Sequence, residues 1–198
     1  NQAEVRIGIV QFRDKKETIS RKSILGLSRQ RNDMIAVGPK ESFEGGALDP
    51  EDQYFGIVQA LEEFQRDNVT DNQFVIVVTD TPPKLDPKSY ATIVEAGIPV
   101  FTVIARFQFD LDLKHNRTGR RFRSEFRKQL EAGHVIAIKK GEKLAELTSG
   151  KCWNYLTTGF AANRFDFGDI DQQLADEIAS LCQTREKERR WSWNAPPA

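Results

Sequence analysis

The stretch Phe74-Val75-Ile76-Val77-Val78-Thr79 limits the possible folds more than any other in the chain. Five apolar residues follow one another, and Asp80-Thr81-Pro82-Pro83 then forbids the strand to continue. A strand with one wet face alternates apolar and polar residues. An unbroken β-branched run belongs instead to a strand covered on both faces, as in a parallel sheet flanked by helices. Val5 to Phe12 (VRIGIVQF) and Pro99 to Ile104 (PVFTVI) read the same way, and Cys152 to Leu156 reads as a further strand.

Helical patterns fill the intervals. From Pro50 to about Arg66, the residues Tyr54, Ile57, Val58, Leu61 and Phe64 form one apolar stripe. Asp86 with Pro87 opens a second helix, whose Tyr90, Ile93 and Val94 face inward and which Gly97 ends. Leu144 and Leu147 mark a short helix stopped by Gly150, and Ile170, Leu174, Ile178 and Leu181 stripe a last one. Strand and helix alternate over short links. The expected fold class is therefore α/β, a Rossmann-like, doubly wound, mostly parallel sheet whose ligands bind beyond the carboxyl ends of the strands.

Two segments break the rhythm. Residues 13 to 44 are polar and irregular, with room for an edge hairpin around Thr18 to Leu27. Residues 106 to 140 read as an insertion rich in charge and phenylalanine. The domain is expected to span residues 1–184, with 185–198 a tail or linker. Asn1 is not a natural start, so the chain reads as a piece of a longer one. Of its 198 residues, 39% are apolar and 29% charged, which suits a solvated globular surface. Zero formal net charge gives no global pull toward nucleic acid or anionic membrane. No apolar run approaches the roughly 18 residues of a membrane helix, so no membrane insertion is expected. Cys152 and Cys182 leave two readings open. One is a disulfide closing a loop of about 30 residues, worth about 3 kcal/mol; the other is two buried thiols. Asn68-Val69-Thr70 and Asn116-Arg117-Thr118 have the spacing of glycosylation sites, a pattern that also arises by chance.

The acids that could carry chemistry lie in loops. A hard cation such as Mg²⁺ takes carboxylates, hydroxyls and waters in near-octahedral geometry. Glu51 and Asp80 could supply two carboxylates if their loops are neighbours. Each also has a structural reading. Asp49 before Pro50 has the form of a helix N-cap, Glu51 and Asp52 would complement the helix dipole, and Asp80 could cap a turn.

VRIGIVQFRD, the loop Gly45-Gly46 … Pro50-Glu51, and VIVVTDTPPK, in this order, resemble the von Willebrand factor A domain, nearest to its integrin β and hemicentin-like branch. The resemblance covers roughly residues 4 to 105, and more loosely LAELTSGKCWNYL and the last helix. It implies a Rossmann-like sheet with a metal-ion-dependent adhesion site at its carboxyl edge, where Mg²⁺ (or Ca²⁺ or Mn²⁺) binds an acidic residue of a partner protein. By position Glu51 matches the second-loop ligand and Asp80 the third-loop acid. Leu48 stands where that branch usually has an acid, with Asp49 displaced by one. The family's Asp-x-Ser-x-Ser, and the central strand that carries it, have no match in this sequence. The resemblance therefore implies that upstream sequence or a second polypeptide completes the sheet and supplies further ligands. It also implies that Cys152 and Cys182 lie close in space.

Between Lys114 and Lys128, seven lysines and arginines face one acid, with Phe122 and Phe126 interleaved. Arg120, Arg121 and Arg123 could form a polyanion-binding patch. A solvated amphipathic helix from about Ser124, docked by Phe122, Phe126 and Leu130, explains the same residues. His115 and His134 are expected at the surface or in loops.

There is no Gly-rich phosphate loop, nucleophile elbow or Cys/His arrangement, so no enzyme is expected. The leading expectation is a protein-binding, adhesive module of a larger extracellular or cell-surface protein. One alternative is a small-molecule binder resembling type I periplasmic binding proteins, whose "AGIPV" strand entry is matched by Ala96 to Val100. Another is a metal-free scaffold serving as an assembly interface.

Overall fold

The computed structural model describes residues 6–12, 21–28, 50–68, 72–107, 117–157 and 169–194. They divide into two compact units, residues 1–159 and residues 160–198.

In the first unit a three-stranded parallel sheet has the order β3-β4-β5, with β3 Val75–Thr79, β4 Val100–Phe107 and β5 Cys152–Thr157. Two helical crossovers join these strands, α2 (Pro87–Ala96) between β3 and β4, and α3 (Arg117–Thr148) between β4 and β5. Helix α1 (Gln53–Arg66) precedes β3. The fold class read from the sequence is the one observed, a doubly wound, Rossmann-like α/β arrangement. Register places Val75, Val77 and Thr79 of β3 on the same face as Val100, Thr102 and Ile104 of β4 and Cys152 and Asn154 of β5. On that face Val75, Val77 and Val100 close one core with Tyr54, Ile57 and Leu61 of α1, Ile93 of α2 and Leu144 of α3. The opposite face of β4 is buried as well, through Phe101 and Val103, and Phe101 stacks at 6.0 Å on Trp153. β4 is thus covered on both faces, the environment its continuous apolar run requires.

Ahead of this sheet, β1 (Ile7–Phe12) pairs antiparallel with β2 (Arg21–Ser28). In place of the short edge hairpin expected around Thr18 to Leu27, the described part of that stretch is a single strand, β2, beside β1. This pair is a separate two-stranded sheet; among the described residues no strand joins β1 to β3. Phe12 packs against the core below α1. The approach is close enough that a methyl at Gly56 would stand 2.9 Å from Cδ1 of Phe12.

Three boundaries differ from the sequence reading. α1 begins at Gln53, so Pro50 to Asp52 precede the helix and Asp52, with no side-chain capping bond, is its N-cap residue. The reason is that Glu51 is held in an extended bridge to Pro83. Asp49 lies outside the described residues. Second, the stretch read as an insertion and a short helix is one 32-residue helix, α3, with Leu147 42% exposed. Helix α2 follows its signals closely: the Asp86 carboxylate accepts from Ser89 N–H at 3.2 Å, and Gly97 ends it at φ 62°. Third, in the second unit, α4 (Ile170–Asn194) continues past Arg185, where the sequence suggested a tail. Ile170 is buried, and Leu174, Ile178 and Leu181 are half-buried. Among the described residues no helix is long and apolar enough to cross a membrane.

Candidate functional site

Beyond the carboxyl end of β3 the chain turns through Asp80, Thr81, Pro82 and Pro83. The stretch before α1 runs alongside. Glu51 N–H donates to Pro82 C=O at 3.0 Å, and Lys84 N–H donates to Glu51 C=O at 2.8 Å. The loops carrying Glu51 and Asp80 are therefore neighbours, the condition their joint use requires. Gln53 ties the same corner down. Its Nε2 donates to Thr81 C=O at 2.7 Å and lies 3.4 Å from Thr79 Oγ1. Thr79 Oγ1 in turn accepts from Thr81 N–H at 3.3 Å. Gln53, Thr79, Thr81, Pro82 and Pro83 are all buried beneath the edge.

Three polar groups stand out on this frame. Burial pushes the Asp80 carboxyl above its ordinary value, against the opposing pull of its backbone hydrogen bond and of His134. Thr81 is 2% exposed, and its Oγ1 has no hydrogen-bond partner among the described residues. Asp52, 3% exposed, pairs with Lys84, whose Nζ stands 3.4 Å from Oδ1. Leu85, beside them, is 84% exposed.

His134 corrects the surface expectation. It is 7% exposed on α3, and its Nε2 lies 2.9 Å from Asn154 Oδ1 on β5. His134 stands in the apolar run from Ala132 to Ile138, but a lone histidine there does not name its partner in the sequence. Only the path of α3 over β5, with Gly133 against Pro82, brings it near Asp80. His115 lies outside the described residues.

Among the described residues no group of three or more His, Cys, Asp or Glu is placed to hold a metal ion. Arg120, Arg121 and Arg123 belong to the first part of α3, but the side chains on which the polyanion reading depends lie outside the described residues. Cys152 and Cys182 are free, half-buried thiols. Burial, with the Glu142 charge adding to it, pushes the Cys152 thiol up to about 11.

No family model matches this chain, and no curated protein is similar to it. Among solved structures, the crystal structure of an uncharacterized membrane-spanning protein from Vibrio fischeri is similar at 16% identity. That likeness covers 92% of this chain and 75% of the other, with a TM-score of 0.25, too low to carry an argument about fold or function. Strand order and crossovers define the class on their own: a Rossmann-like α/β domain with a polar, braced carboxyl edge at β3.

Proposed function

We propose that this chain is a non-enzymatic protein-binding module of the von Willebrand factor A kind, belonging to a larger extracellular or cell-surface protein. It would engage its partner through the carboxyl edge formed by the loops at Glu51 and Asp80. The observation that carries this reading is the bridge between Glu51 and Pro83, which brings two acid-bearing loops together at the edge where such sheets bind ligands.

The donors fit a hard divalent cation in kind: Glu51 and Asp80 offer carboxylates, and Thr81 a buried hydroxyl without a partner. They fall short in number, so further ligands would come from the segment that completes the sheet, whether upstream sequence or a second polypeptide. When bound, Mg²⁺ would supply an open coordination position for a partner carboxylate. The chain's own part is to brace that edge through Gln53, Thr79 and Pro82 and to keep the Asp80 carboxyl partly out of water.

Terbium luminescence and Mn²⁺ titration of the complete domain test this reading. Glu51→Gln and Asp80→Asn should each weaken cation binding about tenfold or more, the scale of a lost charged ligand. Unchanged affinity in both variants would leave the metal-free assembly scaffold.

A further inference from the structure

α3 is far longer than its seat on the sheet. At its end Thr148 Oγ1 accepts from Val100 N–H at 3.2 Å, at the start of β4. Gly141 then lies over Thr102 and Cys152, His134 meets Asn154, and Gly133 stands against Pro82, beyond the last residue of β3. The stretch from Gly133 to Thr148, about 22 Å of helix, therefore takes α3 from the start of β4 to the Pro82 corner. Residues 117–132, about 24 Å more of the same helix, run on past that corner. Lys128, Gln129, Glu131 and Ala132 are all exposed, so no other segment of the chain lies over this stretch.

The charge of the extension is lopsided. Residues 117–128 carry six lysines and arginines against one acid, Glu125, in a chain whose formal net charge is zero. A local excess of this kind acts through space over a Debye length of about 8 Å, whatever rotamer each arginine adopts. Where the extension leaves the sheet, Asn154 is exposed on β5. Its Oδ1, 2.9 Å from Nε2 of the buried His134, is the acceptor of that pair. Its amide N–H groups are left to donate outward.

A cationic helix beside a fixed amide donor calls for an anion with carboxylate or carbonyl oxygens. From Arg120 to His134 the helix rises about 21 Å, the length of about six residues of extended chain. Glu131 and the corner of Glu51, Asp52 and Asp80 adjoin it, so a longer polyanion would run on into like charge.

We propose that the first half of α3, together with Asn154, is a docking surface for a short acidic segment of a partner protein, about six residues long when extended. Its carboxylates lie along the basic stretch, and one of its carboxylate or backbone carbonyl oxygens accepts from the Asn154 amide. The surface borders the carboxyl edge proposed for partner binding, but it needs no divalent cation and does not rest on that reading.

The test is a titration of the whole chain with blocked hexaglutamate, followed by residue-resolved amide shifts. Shifts should appear at residues 125–132 and at the Asn154 side-chain amide. They should persist with chelator present and vanish at about 1 M salt, where charges are screened over about 3 Å. Joint replacement Arg120→Glu, Arg121→Glu and Arg123→Glu turns the stretch net negative and should weaken binding about tenfold or more. Lys128→Glu, one exposed charge, should weaken it about threefold, which decides the matter if the triple variant does not fold. Asn154→Ala should weaken binding by a similar factor. Shifts absent from residues 125–132, binding unchanged in the charge-reversed variants, or binding lost on chelation would each overturn the proposal. Tighter binding by a sulfated oligosaccharide, a single-stranded oligonucleotide or anionic vesicles at equal charge overturns it as well, in favour of that ligand class.

Discussion

Asp80 follows β3 with its carboxyl drawn partly out of water, and that placement costs stability as well as shaping the edge. Its folded-state value is raised, so the folded chain holds the proton more tightly than the unfolded one. The contribution is fully present below the unfolded value of about 3.8 and is lost as pH rises through the raised value. At neutral pH the ionised group therefore weighs against folding. Asp80→Asn should raise the melting temperature at pH 7 and leave it nearly unchanged at pH 3, while weakening cation binding. Thermal melts of both proteins at the two pH values check the sign. A lower melting temperature for the variant at pH 7 would mean that the carboxylate is held by favourable contacts, and its proposed readiness for a cation would lose its physical basis.

Helices show where sequence signals held and where they misled. α2 carries every local marker, with Asp86, Pro87 and Gly97 in their expected places, and it was legible to the residue. The strands were legible as strands, but of the runs read as covered on both faces only β4 is: β3 buries Val75, Val77 and Thr79 and leaves Ile76 and Val78 exposed, and β1 pairs antiparallel with β2 in a sheet of its own. α3 was not. Gly133, Gly141 and a run of charges interrupt its stripe, and interior glycine costs about 1 kcal/mol relative to alanine, so the segment reads as broken. Tertiary packing supplies the reason for one of these glycines. A methyl at Gly141 would stand 2.9 Å from Cys152 Sγ and 3.3 Å from Thr102 Cγ2, so the helix or those side chains would have to shift to admit it. At Gly133 the nearest atom would be Pro82 Cδ, an ordinary contact at 3.8 Å. The two substitutions should therefore have opposite signs. Gly133→Ala should stabilise by up to about 1 kcal/mol, and Gly141→Ala should destabilise by about 1–2 kcal/mol, overpacking outweighing propensity. Urea midpoints at constant m-value measure both. The candidate site was half legible for the same reason: Glu51 and Asp80 are visible as acids after apolar runs, whereas Gln53, Thr81 and His134 acquire meaning only through contacts made across the chain.

For the first unit as a whole, the question is whether its two sheets melt together. β4 is buried on both faces, with Val100 at 0% and Phe101 at 1% exposure, and it is flanked by a strand on each side. The β1–β2 pair is a two-stranded sheet, an arrangement marginal by itself in water. Its seat on the core runs through Phe12, which packs against the cluster of Tyr54, Ile57 and Leu61 and touches α1 at Gly56. Among the described residues no strand joins β1 to β3, and α1 is the element that packs on both. Opening of β1–β2 should then cost less than global unfolding, and its amides should exchange through that cheaper route. Phe12→Ala should cost about 2 kcal/mol, below the full value for a buried phenylalanine because this ring is half-buried. The loss should fall on the amides pairing β1 with β2, around Val10 with Ser23 and Phe12 with Arg21. Protection of Val103 and Ile104 in β4 should persist. Native-state exchange at increasing denaturant separates the two outcomes. A uniform loss that reaches β4 would show one cooperative unit, with no energetic boundary between the sheets.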